Sequence, residues 1–512
     1  MRTEETAGKR SALRVVLVSM PFMDPYRPSI QLGLLKSLAE RCGFPVRTLH
    51  ANLDFAMRIG LDYYELLCEH RGPMVGEWLF SLAAFPVTAP DPDAHMISDL
   101  GHELSRLGGS PEEIRERLIR TRSIDVPAYL DALVDTFAWA DEAVVGFSST
   151  FQQNAASFAL ARRLKQRYPR IVTIFGGANF DEDMGPELVR AVDCIDVAVV
   201  GEADETFPRL LGALAAGTGL DEVPGLARRV DGQVKVTPPS AASVRLEDSP
   251  APDYEEYFTR AEDLGIIPRA GHRNVWLPIE TARGCWWGAK HHCTFCGLNA
   301  TTMSFRSKSP EHVLDELAGQ ARRYRSFRFE AVDNIMDTAY LTKLFPVLVG
   351  HETGYEIFYE VKANLRREQL KLMAQAGVTR IQPGIESLSS NVLRLMRKGV
   401  RAVQNVNLLR WAQYYDIQVD WNLLWGFPGE TEQDYTEQAA VIPHLLHLQP
   451  PSAASRIWLE RFSPLFTETD TFRLSRRTPE RSYRYIYPDG VDLERVAYFF
   501  DYSLDSELPE IG

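Results

Sequence analysis

The chain has 512 residues, 45% of them hydrophobic and 24% charged, with a formal net charge of −13. That length exceeds one ordinary core and predicts two or three domains, while the acidic balance argues against a chain built to neutralise nucleic-acid phosphates. No apolar run reaches the roughly 18 residues of a membrane span, and the opening MRTEETAGKR lacks the apolar core of a signal peptide; the expectation is a cytoplasmic chain with neither a membrane nor a nucleic-acid partner.

Residues 1–11 read as a frayed end. LRVVLVS (13–19) is a short β-branched run that predicts a buried strand. A helix follows at about 30–41, with Ile30, Leu34, Leu35 and Leu38 on one face. Residues 50–140 read as a mainly helical insertion. AVVGFS (143–148), IVTIFG (171–176) and IDVAVV (195–200) predict strands, with a helix over 153–167. Short apolar strands alternating with helices point to a parallel sheet covered on both faces, with a ligand beyond the strand carboxyl ends. Those ends carry Ser148-Ser149, Gly176-Gly177 and Gly201-Glu202, small residues that let a large flat ligand approach the backbone; plain turn chemistry accounts for them equally well. This first domain is placed at 12–230, and the Pro-, Asp- and Ser-rich stretch 231–272 reads as a linker with little core.

VWLPIE (275–280) is a predicted strand that runs into a cysteine cluster. Ser309-Pro310 is an N-cap and first helical residue. FRFEAVD (327–333), YEIFYEVK (355–362), VTRIQPGI (378–385) and IQVDWNLLWG (417–426) are further strands with helices between them. A repeating βα series predicts a full or partial barrel over 273–455, with function at the strand carboxyl ends. The cysteines, Asp333-Asn334, Glu386 and Gly426–Gly429 all fall there. Residues 456–512 form an aromatic C-terminal extension, a candidate for substrate contact.

Six cysteines are present. Cys42, Cys68 and Cys194 are scattered and read as small buried hydrophobes; Cys285, Cys293 and Cys296 crowd together in a C-x7-C-x2-C pattern. Clustered thiols in such a chain bind metal or do chemistry rather than form a disulfide framework. Three thiolates on a cubane iron–sulfur cluster leave one iron open for a ligand. The competing reading is a zinc site of three Cys with His291 or His292.

The run ETARGCWWGAKHHCTFCGLN, followed by FRSKSPEHVLDEL, resembles the radical S-adenosylmethionine (SAM) proteins that mature ribosomally made peptides. More narrowly it is similar to the cobalamin-associated branch called RiPP maturation radical SAM protein 1, near the peptide C-methyltransferases. The long spacing with Trp-Trp inside is characteristic of that branch. The resemblance runs from about Leu13 to Tyr487. It implies an α/β fold: an N-terminal Rossmann-like cobalamin-binding domain, a partial (β/α)6 radical SAM barrel and the C-terminal extension. It implies a 4Fe-4S cluster on Cys285, Cys293 and Cys296. SAM contacts carry over to Phe295 beside the adenine, Asp333 and Asn334 at the methionyl end, Lys362 and Glu386 near the carboxylate or ribose, and Gly426 and Pro428 in an adenine-contacting loop. GFSS, FGGAN and VVGEADETF match the cobalamin-facing loops, which puts Ser148, Ser149, Gly176, Gly177, Gly201 and Glu202 against cobalamin. The familiar D-x-H-x-x-G motif is absent; Asp93-Ala94-His95 matches it only in part.

The activity so implied is C-methylation of an unactivated side-chain carbon in a ribosomally synthesised precursor peptide, by a 5′-deoxyadenosyl radical and methylcobalamin, with flavodoxin or ferredoxin as electron donor. One alternative keeps the radical step but cyclises, cross-links or epimerises the peptide. Another is a zinc-stabilised, non-catalytic peptide-binding protein. A third is a small-molecule substrate, such as a lipid or antibiotic intermediate.

Overall fold

The computed structural model describes residues 2–69, 72–240, 244–299, 303–472 and 474–504. The chain folds into two compact units. One comprises the residues up to Val244, Ser249–His272 and Pro479–Ala497; the other comprises Arg245–Asp248, Arg273–Thr478 and the residues from Tyr498 on. No helix among the described residues is long and apolar enough to cross a membrane.

The first unit is built on seven strands: β1 (Val15–Ser19), β2 (Val46–His50), β3 (Val144–Ser148), β4 (Val172–Gly176), β5 (Val197–Val199), β6 (Leu226–Val230) and β7 (Gln233–Val236). Their order is β2-β1-β3-β4-β5-β6-β7. The first five pair in parallel, whereas β6 and β7 add an antiparallel hairpin. All five residues of β1 are buried, as the unbroken VVLVS run requires of a strand covered on both faces. Ser29 caps the helix Ile30–Arg41 by accepting the Leu32 N–H at 3.3 Å. The 2-1-3-4-5 order places a topological switch point between β1 and β3, where a doubly wound sheet opens a crevice for ligands.

The predicted helical insertion is present between β2 and β3, beginning with Ala51–Ile59 and ending with Val126–Thr136. It makes its own aromatic core, with Phe55 4.9 Å from Tyr129 and 5.1 Å from Phe80. Within it Glu77 is fully buried and accepts the N–H groups of Asn154 (2.7 Å) and Ala155 (2.6 Å) at the start of the helix Asn154–Arg167. Burial pushes its carboxyl up to about 7 against those two bonds, and burial likewise raises Asp181 to about 6. Between their ordinary values of 4.5 and 3.8 and these raised ones, the folded chain holds protons that the unfolded chain has released. Stability therefore falls as pH rises through that window. The urea midpoint is expected to be lower at pH 7.5 than at pH 5, and Glu77→Gln should flatten the slope; an unchanged slope would remove Glu77 as its cause.

Three expectations need correction. Residues Arg2–Ala12 form a helix rather than a frayed end, because Arg, Glu, Ala and Lys favour helix and Arg10 ties it down through the Cys42 carbonyl at 3.1 Å. The stretch 231–272 is more than a linker: it supplies β7 and the helix Glu255–Asp263, and Tyr254 and Tyr257 are buried. Its Glu256 pairs with Lys36 (2.5 Å), and the Tyr257 hydroxyl donates to the Pro25 carbonyl (2.9 Å). The extension 456–512 does not form one piece. Residues Pro479–Ala497 join the first unit and those from Tyr498 on the second, while 473 and 505–512 lie outside the described residues.

The second unit carries β8 (Trp276–Ile279), the short β9 (Ala282–Arg283) and β10 (Arg306–Ser307), then β11 (Arg328–Ala331), β12 (Glu356–Glu360), β13 (Val378–Gln382), β14 (Gln418–Val419), β15 (Asn422–Trp425) and β16 (Ala453–Arg456). Five of these form a parallel sheet in the order β14-β13-β12-β11-β8, and β15 pairs in parallel with β16. A bridge from Glu386 to Leu423 carries the pairing past the break at Asp420–Trp421, so the single strand expected over 417–426 is two. The result is a partial (β/α)6 barrel with β16 as its sixth strand. Period two puts Glu356, Phe358, Glu360 and Lys362 on one side of β12 and its continuation, and Ile357, Tyr359 and Val361, all buried, on the other. Ion pairs Arg328–Glu356 (3.1 Å) and Arg380–Asp420 (2.9 Å) join neighbouring strands. A three-stranded sheet closes the unit: β17 (Leu459–Glu460), β18 (Leu474–Pro479) and β19 (Phe499–Leu504), in the order β17-β19-β18.

Candidate functional site

In the second unit, β8 delivers the chain to Thr281 and the cysteine loop follows. Cys285, Cys293 and Cys296 line one cavity with about 940 Å³ of empty space, together with Phe295, Asn334 and a set of charged side chains. The Gly288 N–H points at Cys285 Sγ (3.2 Å), as suits a thiolate. Burial pushes the Cys293 and Cys296 thiols up, while Lys398 pulls both partly back; ligation to metal removes those protons. Among the described residues, no three His, Cys, Asp or Glu side chains converge closely enough for one metal ion. His292 is engaged elsewhere, its Nε2 donating to the Cys296 carbonyl at 2.8 Å. Three thiols around one cavity are the donor set that a cubane cluster with one open iron takes.

The cavity also holds two lysines and two glutamates. Lys398 Nζ pairs with Glu386 Oε1 at 3.3 Å; burial opposes its charge, and the Glu386 carboxylate carries its pKa up. Lys362 donates to the Lys398 carbonyl, and burial followed by the Lys398 charge lowers it to about 8. Glu360 is raised to about 7 by burial, against the pull of Lys398.

Of the residues that the resemblance puts against SAM, Phe295, Asn334, Lys362 and Glu386 line the cavity. Asp333 does not. It is fully buried, and its carboxylate accepts the Thr281 N–H (2.8 Å) and the Thr281 hydroxyl. Its contact is with the chain that leads to Cys285, and it is not among the residues that line the cavity. Asn334 remains at the cavity and donates to Asn299 Oδ1 at 2.8 Å. Gly426 and Pro428 are not in the cavity lining. The Gly426 and Phe427 N–H groups donate to Glu430 (both 2.9 Å), and the Tyr502 hydroxyl donates to the Gly426 carbonyl (3.2 Å). Their loop reaches the site through Phe427, whose ring lies 5.8 Å from that of Phe295.

Four residues escaped the sequence reading: Trp287, Glu360, Lys398 and Glu460. Glu360 was legible as the residue two before Lys362 on the same strand face. Glu460, on β17, is half-buried and accepts the Gly297 N–H at 2.7 Å, one residue after Cys296. Burial raises it to about 7. A Cβ on Gly297 would lie 2.8 Å from Glu460 Cβ, so β17 sits directly behind the loop. Glu460→Ala leaves a buried N–H unpaired, a loss of about 1–3 kcal/mol, and is expected to speed the removal of bound iron by a chelator. Glu460→Gln keeps the acceptor and should behave as the parent; equal behaviour of both variants would end this role.

In the first unit, Leu17, Gly146, Phe147, Ser148, Ile174, Gly176, Gly177 and Val199 line a second cavity of about 400 Å³ at the switch point. A Cβ on Gly146 would lie 2.7 Å from Leu17 Cδ2, so the floor admits only glycine without rearrangement. Gly177 has φ +96°, and a Cβ there would lie 2.5 Å from the Ser149 carbonyl oxygen. Ser149 is buried in a stitched loop pair: its N–H donates to Gly176 O (2.8 Å) and its hydroxyl to Asn154 Oδ1 (2.6 Å). Gly201 gives its N–H to Asp181 Oδ1 (3.2 Å), and Glu202 is the N-cap of the helix Ala203–Ala216. Ser148, Gly176 and Gly177 thus line the cavity, while Ser149, Gly201 and Glu202 do not. His95 opens the short helix His95–Asp99 in the insertion, away from any strand end.

Residues 279–439 match the family model described as Radical SAM superfamily. The chain is 26% identical over 305 residues to an uncharacterized methyltransferase of Pyrococcus horikoshii, covering 57% of this chain and 62% of the relative. It is 27% identical over 318 residues to the hopanoid C-3 methylase of Methylococcus capsulatus, covering 60% and 57%. The chain thus spans about three fifths of the length of these curated relatives. Among solved structures, the radical SAM methyltransferase TsrM from Kitasatospora setae, with cobalamin and a [4Fe-4S] cluster bound, superposes with a TM-score of 0.59 at 16% identity, over 89% of this chain and 77% of that one. The fold is that of cobalamin-binding radical SAM enzymes.

Proposed function

We propose that this chain is a cobalamin-dependent radical SAM enzyme that C-methylates an unactivated side-chain carbon of a ribosomally synthesised peptide. The observation that carries the reading is the convergence of Cys285, Cys293 and Cys296 on one cavity furnished with Lys362, Lys398, Glu360 and Glu386. The thiols would hold a 4Fe-4S cluster with one iron open, and the charged set suits a ligand with both an ammonium and a carboxylate, as SAM has. The glycine-floored cavity of the first unit suits a flat apolar portion of cobalamin. The spacing with Trp286-Trp287 supports the peptide substrate, because it resembles the peptide-maturing branch.

When bound, these groups supply a low-potential electron, radical initiation and a methyl donor. The chain's own residues bind and orient. Lys398, half-buried and paired to Glu386, keeps a fixed positive charge in the cavity. Asp333 holds Thr281, and Glu460 holds Gly297, on either side of the thiols. Phe295 offers an aromatic face to an adenine. Flavodoxin or ferredoxin would provide the electron.

The test is anaerobic reconstitution with iron, sulfide and cobalamin, followed by metal analysis and peptide mass spectrometry. About four irons with bound cobalt, and a mass gain of one methyl on a precursor peptide, is the expected result. Iron without cobalt, with a peptide losing two hydrogens or keeping its mass, turns the reading to cyclisation, cross-linking or epimerisation. Methylation of a lipid but no peptide would follow the hopanoid methylase instead. Zinc alone overturns it.

A further inference from the structure

The long C-x7-C spacing is not explained by cluster ligation, which asks only for three thiols. Its inserted residues are engaged across the barrel. The Trp286 indole N–H donates to the Met336 carbonyl and the Trp287 indole N–H to the Arg397 carbonyl, each at 3.1 Å. Trp287 also lines the thiol cavity. Its ring is seated on Gly399, where a Cβ would fall inside the indole, and that glycine has φ +65°. On Trp287 rests the Lys362 ammonium, 3.5 Å from the ring centroid. Lys362 has three donors. One goes to the Lys398 carbonyl and one side of the ammonium faces the indole, which leaves donor capacity in the cavity it lines.

We propose that Trp287 is a positioning residue: its indole, seated on Gly399, holds the Lys362 ammonium in the thiol-lined cavity to receive the carboxylate of an amino-acid-bearing ligand. The proposal rests on the reading of this cavity as a cluster and SAM site. The extra turn, Gly288–His291, follows the indole and returns the chain to Cys293. Without the indole, Lys362 is a flexible four-carbon stem that must be ordered at each binding event.

The experiment uses iron-loaded full-length chain without reductant and reads binding by equilibrium dialysis. Two probes are compared: SAM, which carries the carboxylate, and 5′-methylthioadenosine, which lacks it. Cation–π contacts of this kind are worth roughly 0.5–2 kcal/mol, so Trp287→Leu should weaken SAM about tenfold and leave methylthioadenosine unchanged. Gly399→Ala, which displaces the ring, should do the same, and Trp287→Phe should fall between. Lys362→Met should cost at least as much as Trp287→Leu, and the double variant should lose no more than Lys362→Met alone, because the indole acts through the ammonium. Iron content should be unaffected throughout. Parental SAM affinity in Trp287→Leu overturns the proposal, as do equal losses of both probes, additive losses in the double variant, or a fall in iron. A parent chain that holds no iron and binds no SAM overturns the proposed function itself.

Discussion

Asp333→Ala is expected to strip the chain of its bound iron and to cost about 3–5 kcal/mol of stability. Asp333 is fully buried and accepts both the N–H (2.8 Å) and the hydroxyl of Thr281, with the Ala282 N–H as a further donor. Thr281 stands four residues before Cys285. Its carbonyl in turn accepts the Tyr340 hydroxyl at 3.0 Å, and that hydroxyl also reaches the Lys308 carbonyl at 2.9 Å. The strand end that launches the cysteine loop is thus gripped on both sides. Alanine takes the acceptor away from these buried donors, each loss costing roughly 1–3 kcal/mol, and opens a small void besides. Asp333→Asn keeps one acceptor and lets the Thr281 hydroxyl reverse, so it should retain most of the iron. Burial raises Asp333 to about 7, so the neutral amide is a fair substitute near neutral pH. Iron per chain and the urea midpoint check this. If Asp333→Ala keeps its iron and midpoint but loses SAM affinity, Asp333 touches the ligand after all.

That case also shows what a motif read in sequence leaves open about individual residues. Asp333-Asn334 sits at a strand end, and strand ends are where this fold works, so both were assigned to the ligand. The chain has left β11 before this pair, and only Asn334 of the two reaches the cavity. The strands and their order of use were readable because buried parallel strands are apolar runs with little else in them, as VVLVS and VVGFS show. The cluster was readable because three cysteines in twelve residues have few other purposes. Glu460 was unreadable: it lies 163 positions from its partner Gly297, on a two-residue strand with no periodic pattern. The linker was misread for a related reason. Pro and Ser mark turns, but Tyr254 and Tyr257 bury themselves whatever lies between the turns.

In the first unit, Gly177→Ala is expected to reduce cobalamin binding at least a hundredfold while leaving iron content unchanged. Gly177 has φ 96° and ψ −179°, a conformation that only glycine adopts freely, and strain there costs roughly 1–3 kcal/mol. The surroundings add to it, because a Cβ would lie 2.5 Å from the Ser149 carbonyl oxygen and 3.0 Å from its nitrogen. Those are backbone atoms of the loop after β3, held by the Gly176 carbonyl and by Asn179, which donates to Ser149 Oγ at 3.0 Å. A methyl group therefore pushes the two loops apart where they border the cavity. Gly201→Ala is the matched control: its φ is similar at +85°, but nothing lies within 4 Å of the added carbon. It should suffer backbone strain alone, losing about 1 kcal/mol of stability and little affinity. Cobalt per chain after anaerobic reconstitution, with iron as the internal reference, separates the two. Equal losses in both variants would mean that strain, not the closeness of the loops, is what the ligand feels; full binding by Gly177→Ala would move the cobalamin away from this cavity.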